Sequence, residues 1–201
     1  DAARKLSRSK LAQTMKLSEK LADLNFQRFQ NFSTPFHLGN AKQAAFVFNG
    51  DTYTGLQANT LGKRDMEFAQ KHLRILSGLY GILRPLDLIQ PYRLEMGSKF
   101  PTRRGTNLYD FWGNSITNAI NTLLEGHQNK TLINLSSSEY FKAVNQKELM
   151  GPVLTPVFKE KKKDQLRTIG MFAKQARGAM ARFIISNRID KIDGVKEFNE
   201  N

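Results

Sequence analysis

The sequence predicts a mixed α/β (α+β) fold, one compact domain over residues 1–201 with a short central sheet flanked by helices. Three observations point there. Apolar residues recur at helical spacing, as in Leu17, Leu21 and Leu24, and again in Ile116, Ile120, Leu123 and Leu124. Short apolar runs of β character, such as Thr131–Leu135 (TLINL), lie between those stripes. A chain of 201 residues with 40% hydrophobic content is long enough for one core.

The elements follow in chain order. Residues 2–32 read as helical, with Ser7 or Ser18 as candidate caps and Ser33-Thr34-Pro35 as the break. Arg4, Lys5, Arg8 and Lys10 form a basic cluster of the kind that usually faces solvent. Ala45–Asn49 (AFVFN) reads as a short strand, Gly50-Asp51 as a turn, and Thr52–Ala58 as a turn entering a short helix. Arg64–Ile75 reads as a helix whose stripe is Met66, Ala69, Leu73 and Leu76.

The stretch Lys71–Gly97 is the densest in constrained backbone beside charge: it holds Gly78, Gly81, Gly97, two prolines and three arginines. Leu76-Ser77-Gly78-Leu79-Tyr80-Gly81 after a helix is similar to the hairpin of a helix-hairpin-helix DNA-binding motif. Glycine N–H groups there could approach a phosphate closely. The competing reading puts Gly78 and Gly81 in a buried strand or tight turn, and Pro85 argues against a second helix starting before it. Beyond Pro91, alternation sets Tyr92, Leu94 and Met96 on one side and Arg93 and Glu95 on the other. Arg93 and Glu95 then form either a structural ion pair or a phosphate ligand held by its carboxylate.

Lys99–Asn107 is a polar loop carrying Arg103-Arg104. Leu108–Leu124 reads as a helix, with Trp112 as a core anchor rather than a base-stacking platform. Thr131–Leu135 runs as a strand into Ser136-Ser137-Ser138-Glu139. That sequence spells a helix N-cap, and equally an anion site on free N–H groups, with Lys142 near the same end. Val153–Phe158 and Arg167–Met171 read as strands joined by the charged run Lys159–Gln165. Phe172–Asn187 reads as a helix with Phe172, Ala176, Ala179, Met180 and Phe183 on one side and Lys174, Arg177 and Arg182 on the other, with Arg188 in the same arc. Gly178 in its middle costs up to ~1 kcal/mol relative to alanine, so a backbone or a ligand packs closely there.

Composition bounds the chemistry. There is no cysteine, which removes disulfides, thiol catalysis and cysteine-held metals. No apolar run is long enough for a membrane span, so a cytoplasmic protein without a membrane partner is expected. The charge is +13, from 31 Lys+Arg against 18 Asp+Glu, which points to a polyanion. His37, His72 and His127 are scattered without ligand spacing, so no metal site and no cofactor are expected.

The run LSGLYGILRPLDLIQPYRLEMG resembles the bacterial YaaA family of peroxide-stress proteins. The blocks Gly50–Leu56, Leu108–Gly113, Ile133–Lys142 and Ala173–Ile184 continue the resemblance in the family's order. It implies duplex DNA binding, survival of hydrogen peroxide and a lowering of free intracellular iron. It also implies family segments before Asp1 and after Asn201.

Two functions then stand. The first is a DNA-binding protein, expected as a monomer, that contacts duplex phosphates through a basic cleft with little sequence preference. Its candidate residues are Gly78, Tyr80, Gly81, Arg84, Tyr92, Arg93, Lys142, Lys174, Arg177 and Arg182. The second is an enzyme acting on DNA or a nucleotide, with Glu95 and Glu139 as candidate catalytic groups beside Arg93 and Lys174. No nucleotide-binding or hydrolase motif supports the second, so binding is favoured.

Overall fold

The first 31 residues fold as a short 3₁₀ turn (Ala3–Lys5) and two helices, α1 (Arg8–Met15) and α2 (Glu19–Asn31), in a computed structural model that describes residues 1–162, 165–167 and 170–199. The single helix expected over 2–32 is therefore divided. Lys16 turns left-handed at φ 50° and ends α1, while the Ser7 side chain caps its start by accepting from the Lys10 N–H. The buried face of α2 is Ala22, Asn25 and Phe29; Leu24, from the expected stripe, is 40% exposed.

Next come β1 (Lys42–Gln43), α3 (Ala44–Val47) and α4 (Asp51–Leu56). The strand expected over Ala45–Asn49 is corrected here, because Ala44–Val47 is one helical turn. Helix α5 (Lys63–His72) stops before Ile75, and the chain leaves as β2 (Ile75–Ser77), turns, and returns as β3 (Gly81–Leu83). The two strands pair antiparallel with Leu76 opposite Ile82. The glycine stretch is thus a β-hairpin, and the chain continues from it to β4 (Leu88–Ile89), which pairs with β1. The turn with the glycines leads directly into β3 and not into a second helix.

Helices α6 (Leu108–Trp112) and α7 (Ser115–Glu125) are separated at Gly113, φ +47°. On α7 the expected stripe is buried at Ile116, Ile120 and Leu124. Strand β5 (Leu132–Ile133) leads to the single turn α8 (Ser138–Phe141), and β6 (Val153–Leu154) lies parallel beside β5. The expected connection Lys159–Gln165 instead carries β7 (Glu160–Lys162) and the start of β8 (Gln165–Arg167), paired antiparallel; Lys163 and Asp164 lie outside the described residues. Helix α9 (Gly170–Ser186) absorbs part of the expected strand Arg167–Met171, and α10 (Ile192–Val195) follows. The mixed α/β class stands, with β-structure distributed among the described residues over four two-stranded pairs.

The largest apolar cluster joins α1, α2, α6 and α7 around Leu94, Met96 and Phe100. The alternation expected after Pro91 holds, since Leu94 and Met96 are buried while Arg93 and Glu95 are exposed. A second cluster joins α4, α5 and α9 through Leu56, Ala69, Ala181 and Ile185. Helices α4 and α9 cross at glycine. A Cβ on Gly178 would lie 1.8 Å from the Thr52 carbonyl oxygen, and one on Gly55 2.1 Å from that of Gln175. Backbone meets backbone there, which explains the glycine in mid-helix. The crossing also turns α9 so that Ala173, Gly178, Ala181 and Ile185 are buried together with Met180, the one buried member of the expected face, while Phe172 is 47% exposed. The expected apolar face of α9 is corrected accordingly.

Candidate functional site

A cleft of about 1160 Å³ opens between β5, the Lys71–Leu76 stretch and α9. Leu132, Ile133 and Leu135 stand only half-buried along it. Along α9 the lining passes from Lys174 and Arg177 at one end to Ile184 and Ile185 at the other. The lining also includes Phe48, Asn49 and Tyr53 from the α3–α4 region and Ser136, Ser137 and Tyr140 from the β5–α8 turn.

The β5–α8 turn is held from within. Asn134 Oδ1 accepts from the Ser136 N–H at 3.0 Å and from its hydroxyl at 2.8 Å, and Ser137 caps α8 by accepting from the Tyr140 N–H at 3.4 Å. The N-cap expected from the serine run is present, and its two serines line the cleft as well. Across from them, Lys174 sits 3.9 Å from Asp51, at the limit of an ion pair and more than half exposed. Among the described residues no carboxylate lies within ion-pair distance of Arg177.

Behind this end the tyrosines form an aromatic wall. Phe48 and Tyr53 stack at 5.2 Å and 14°, Tyr92 meets Phe48 edge-on at 6.2 Å, and Tyr80 meets Tyr92 edge-on at 5.3 Å. Burial, and after it the neighbouring Tyr92 and Tyr140, push the Tyr53 phenol well above the usual tyrosine range. Tyr140 is pushed up to about 12 by burial and then by the Glu139 and Glu95 carboxylates. These hydroxyls stay protonated at physiological pH and act as donors, not as bases.

The structure places the other candidates elsewhere. Gly78 is buried against the Leu94 carbonyl, with Trp112 Nε1 donating to its own oxygen at 3.1 Å. Gly81, at φ +75°, is buried under the Trp112 ring. Packing therefore accounts for both glycines, and Trp112 is a core anchor. The Tyr80 hydroxyl donates to the Gln90 carbonyl and accepts from its N–H, and the Tyr92 hydroxyl bonds Ser77. Arg84 pairs with Asp87 at 2.9 Å and Arg93 with Glu95 at 3.5 Å. Lys142 lies 4.9 Å over the Tyr109 ring. Arg182 donates to the Leu56 and Gln57 carbonyls at 3.2 and 3.1 Å, closing the C-terminus of α4, and Arg188 pairs with Asp65 at 2.8 Å. In the basic arc expected on α9, Lys174 and Arg188 thus meet acids from distant elements, Arg182 binds carbonyls, and Lys174 and Arg177 line the cleft.

Glu95 and Glu139 do converge, flanking Tyr140, and Glu139 accepts the Gly97 N–H at 2.8 Å. Neither carboxylate lines the cleft with Lys174. The histidines are closer than their spacing suggests: His72 and His127 rings lie 4.9 Å apart, with Phe68 stacked on His72. Among the described residues no three His, Asp or Glu side chains gather as a metal site. Nor is any described helix long and apolar enough to cross a membrane. Sequence reasoning missed Phe48 and Tyr140 as cleft residues. The signal available was their position beside Gly50–Leu56 and within Ile133–Lys142, the blocks that carried the family resemblance.

A family model described as peroxide stress protein YaaA matches residues 1–201. The chain belongs to that family. It is 53% identical over 198 residues to a UPF0246 protein of Aliivibrio fischeri (strain MJ11), covering 98% of this chain and 76% of the relative. It is also 53% identical over 199 residues to a UPF0246 protein of Alteromonas mediterranea, covering 99% and 77%. A UPF0246 protein of Shewanella sediminis matches at 53% over 196 residues, covering 98% and 76%. Membership supports a role in the peroxide stress response.

Proposed function

We propose that the chain serves the peroxide stress response by binding duplex DNA through its phosphates, helping to limit iron-dependent oxidative damage to that DNA. The observation that carries the reading is the charge: 31 basic against 18 acidic residues leaves +13. Basic residues outnumber acidic ones, so even full pairing would leave a positive surplus for an external polyanion. Lys174 and Arg177 favour the cleft end as the contact, because they stand beside a hydroxyl-bearing turn. Contacts of this kind position a duplex without reading its sequence.

Fluorescence anisotropy of a labelled duplex of roughly 25 base pairs, titrated at several salt concentrations, tests this. A Kd of ~1–100 µM or tighter, with log affinity falling linearly against log salt, is the expected result. Absence of binding at low salt would sink it.

A further inference from the structure

We infer that the charged end of the cleft is a site for a single nucleotide. Its base would lie against the Phe48–Tyr53 pair and its phosphate between Lys174, Arg177 and the Ser136–Ser137 turn. Three independent features meet there. The first is an aromatic stack: the Phe48 and Tyr53 rings lie nearly parallel, 14° apart with centroids at 5.2 Å, and both residues line the cleft, so a base would extend the stack. Every base has a π-face that such a pair accepts, whatever the sequence. The second is an anion pocket. Lys174 is 57% exposed at 3.9 Å from Asp51, Arg177 has no carboxylate within ion-pair distance among the described residues, and Ser136 and Ser137 line the same cleft.

The third is a set of hydrogen-bonding groups beside the stack. The Tyr53 hydroxyl has no hydrogen-bond partner among the described residues although most of its ring is covered. Asn49 Oδ1 is taken by the Gly50 N–H at 2.8 Å, while its exposed amide NH₂ is directed to no protein acceptor among the described residues. A donor pair next to a stacking surface suits the edge of a base. The cleft, at about 1160 Å³, is larger than the roughly 300–1,000 Å³ of common ligand sites, so space does not limit the ligand.

The same chemistry serves a free nucleotide or one turned out of a bound duplex. The second source rests on the DNA-binding reading, and the first does not. A duplex carrying 2-aminopurine at its centre and a distant anisotropy label reads both at once, and calorimetry with deoxynucleoside 5′-monophosphates reads the free form.

With the protein saturating the duplex by anisotropy, a several-fold rise in 2-aminopurine fluorescence supports the site in its everted form. Binding of monophosphates without duplex binding supports it in its free form and fails the DNA reading. Duplex binding with no fluorescence rise and no monophosphate binding overturns the nucleotide site and leaves the DNA reading intact; silence in all three overturns both. Tyr53→Ala is expected to weaken the nucleotide signal by about 5–150-fold, the range of base–aromatic stacking. Tyr53→Phe keeps the ring and loses only the hydroxyl, so it should weaken the signal less than Tyr53→Ala does. Lys174→Glu, at an exposed position that cannot disturb the core, is expected to abolish it. A signal unchanged in Lys174→Glu would also overturn the assignment.

Discussion

Helix α9 has two sides that differ in almost every physical respect. Against α4 there is no spare volume: Gly178 and Gly55 interlock so closely that a single added methyl group on either would meet a carbonyl oxygen inside 2.2 Å. Next to that contact the same helix borders a cleft of about 1160 Å³ whose lining includes Lys174 and Arg177. The difference separates two kinds of feature on one helix. Glycine marks the contact that fixes α9 in place, and the cations on the open side are held by that rigid mount. A residue's chemistry therefore says less than the side it occupies: Arg182 and Arg177 are alike, yet one closes α4 and the other faces the cleft.

Substitutions can break this contrast in graded steps. Gly178→Leu should have the largest effect, because the side chain has no room against the Thr52 backbone. A loss of about 3 kcal/mol or more, or failure to fold, is expected in urea unfolding. Arg182→Ala comes next. It strips two carbonyls at the C-terminus of α4 of a charged donor, and should cost about 1.5–3 kcal/mol while duplex affinity changes little at matched folded concentration. Arg177→Ala should do the reverse, leaving stability within ~0.5 kcal/mol but weakening duplex binding and lowering the salt slope by ~1. Equal effects of the two arginines on stability and on binding would erase the distinction drawn between the sides of α9.

The smallest effect concerns the far end of the cleft. Burial, then His72 and Arg74, hold the His127 imidazole below its ordinary value. The unfolded chain therefore takes up a proton more readily than the folded one. The stability contributed by neutral His127 is complete above a pH of ~6.5 and declines as the pH falls through the folded value. His127→Gln should flatten that part of the stability–pH curve, measured by thermal unfolding between roughly pH 5 and 7. Because the ring is only partly covered, the change should be slight.

Much of this molecule is legible from its residues alone. The mixed α/β class, the buried stripe of α7, the cap at Ser137, the alternation at Leu94 and Met96 and the anchoring of Trp112 all depend on local propensity and periodicity. So does the net charge that motivates a polyanion partner. The choice between strand and helix at Ala44–Val47 was not legible, because an apolar run of four or five residues fits either period. Nor was the exposure of Phe172: the inward face of α9 is set by a backbone contact at Gly178, which outweighs the placement of larger apolar side chains.

Charge pairing was hidden for the same reason. Asp51 and Asp65, which meet Lys174 and Arg188, stand more than a hundred residues away in the chain. Composition determined how much positive charge the protein carries. Only the tertiary structure decided which cations are neutralised and which face the cleft, since that depends on distances no local pattern encodes.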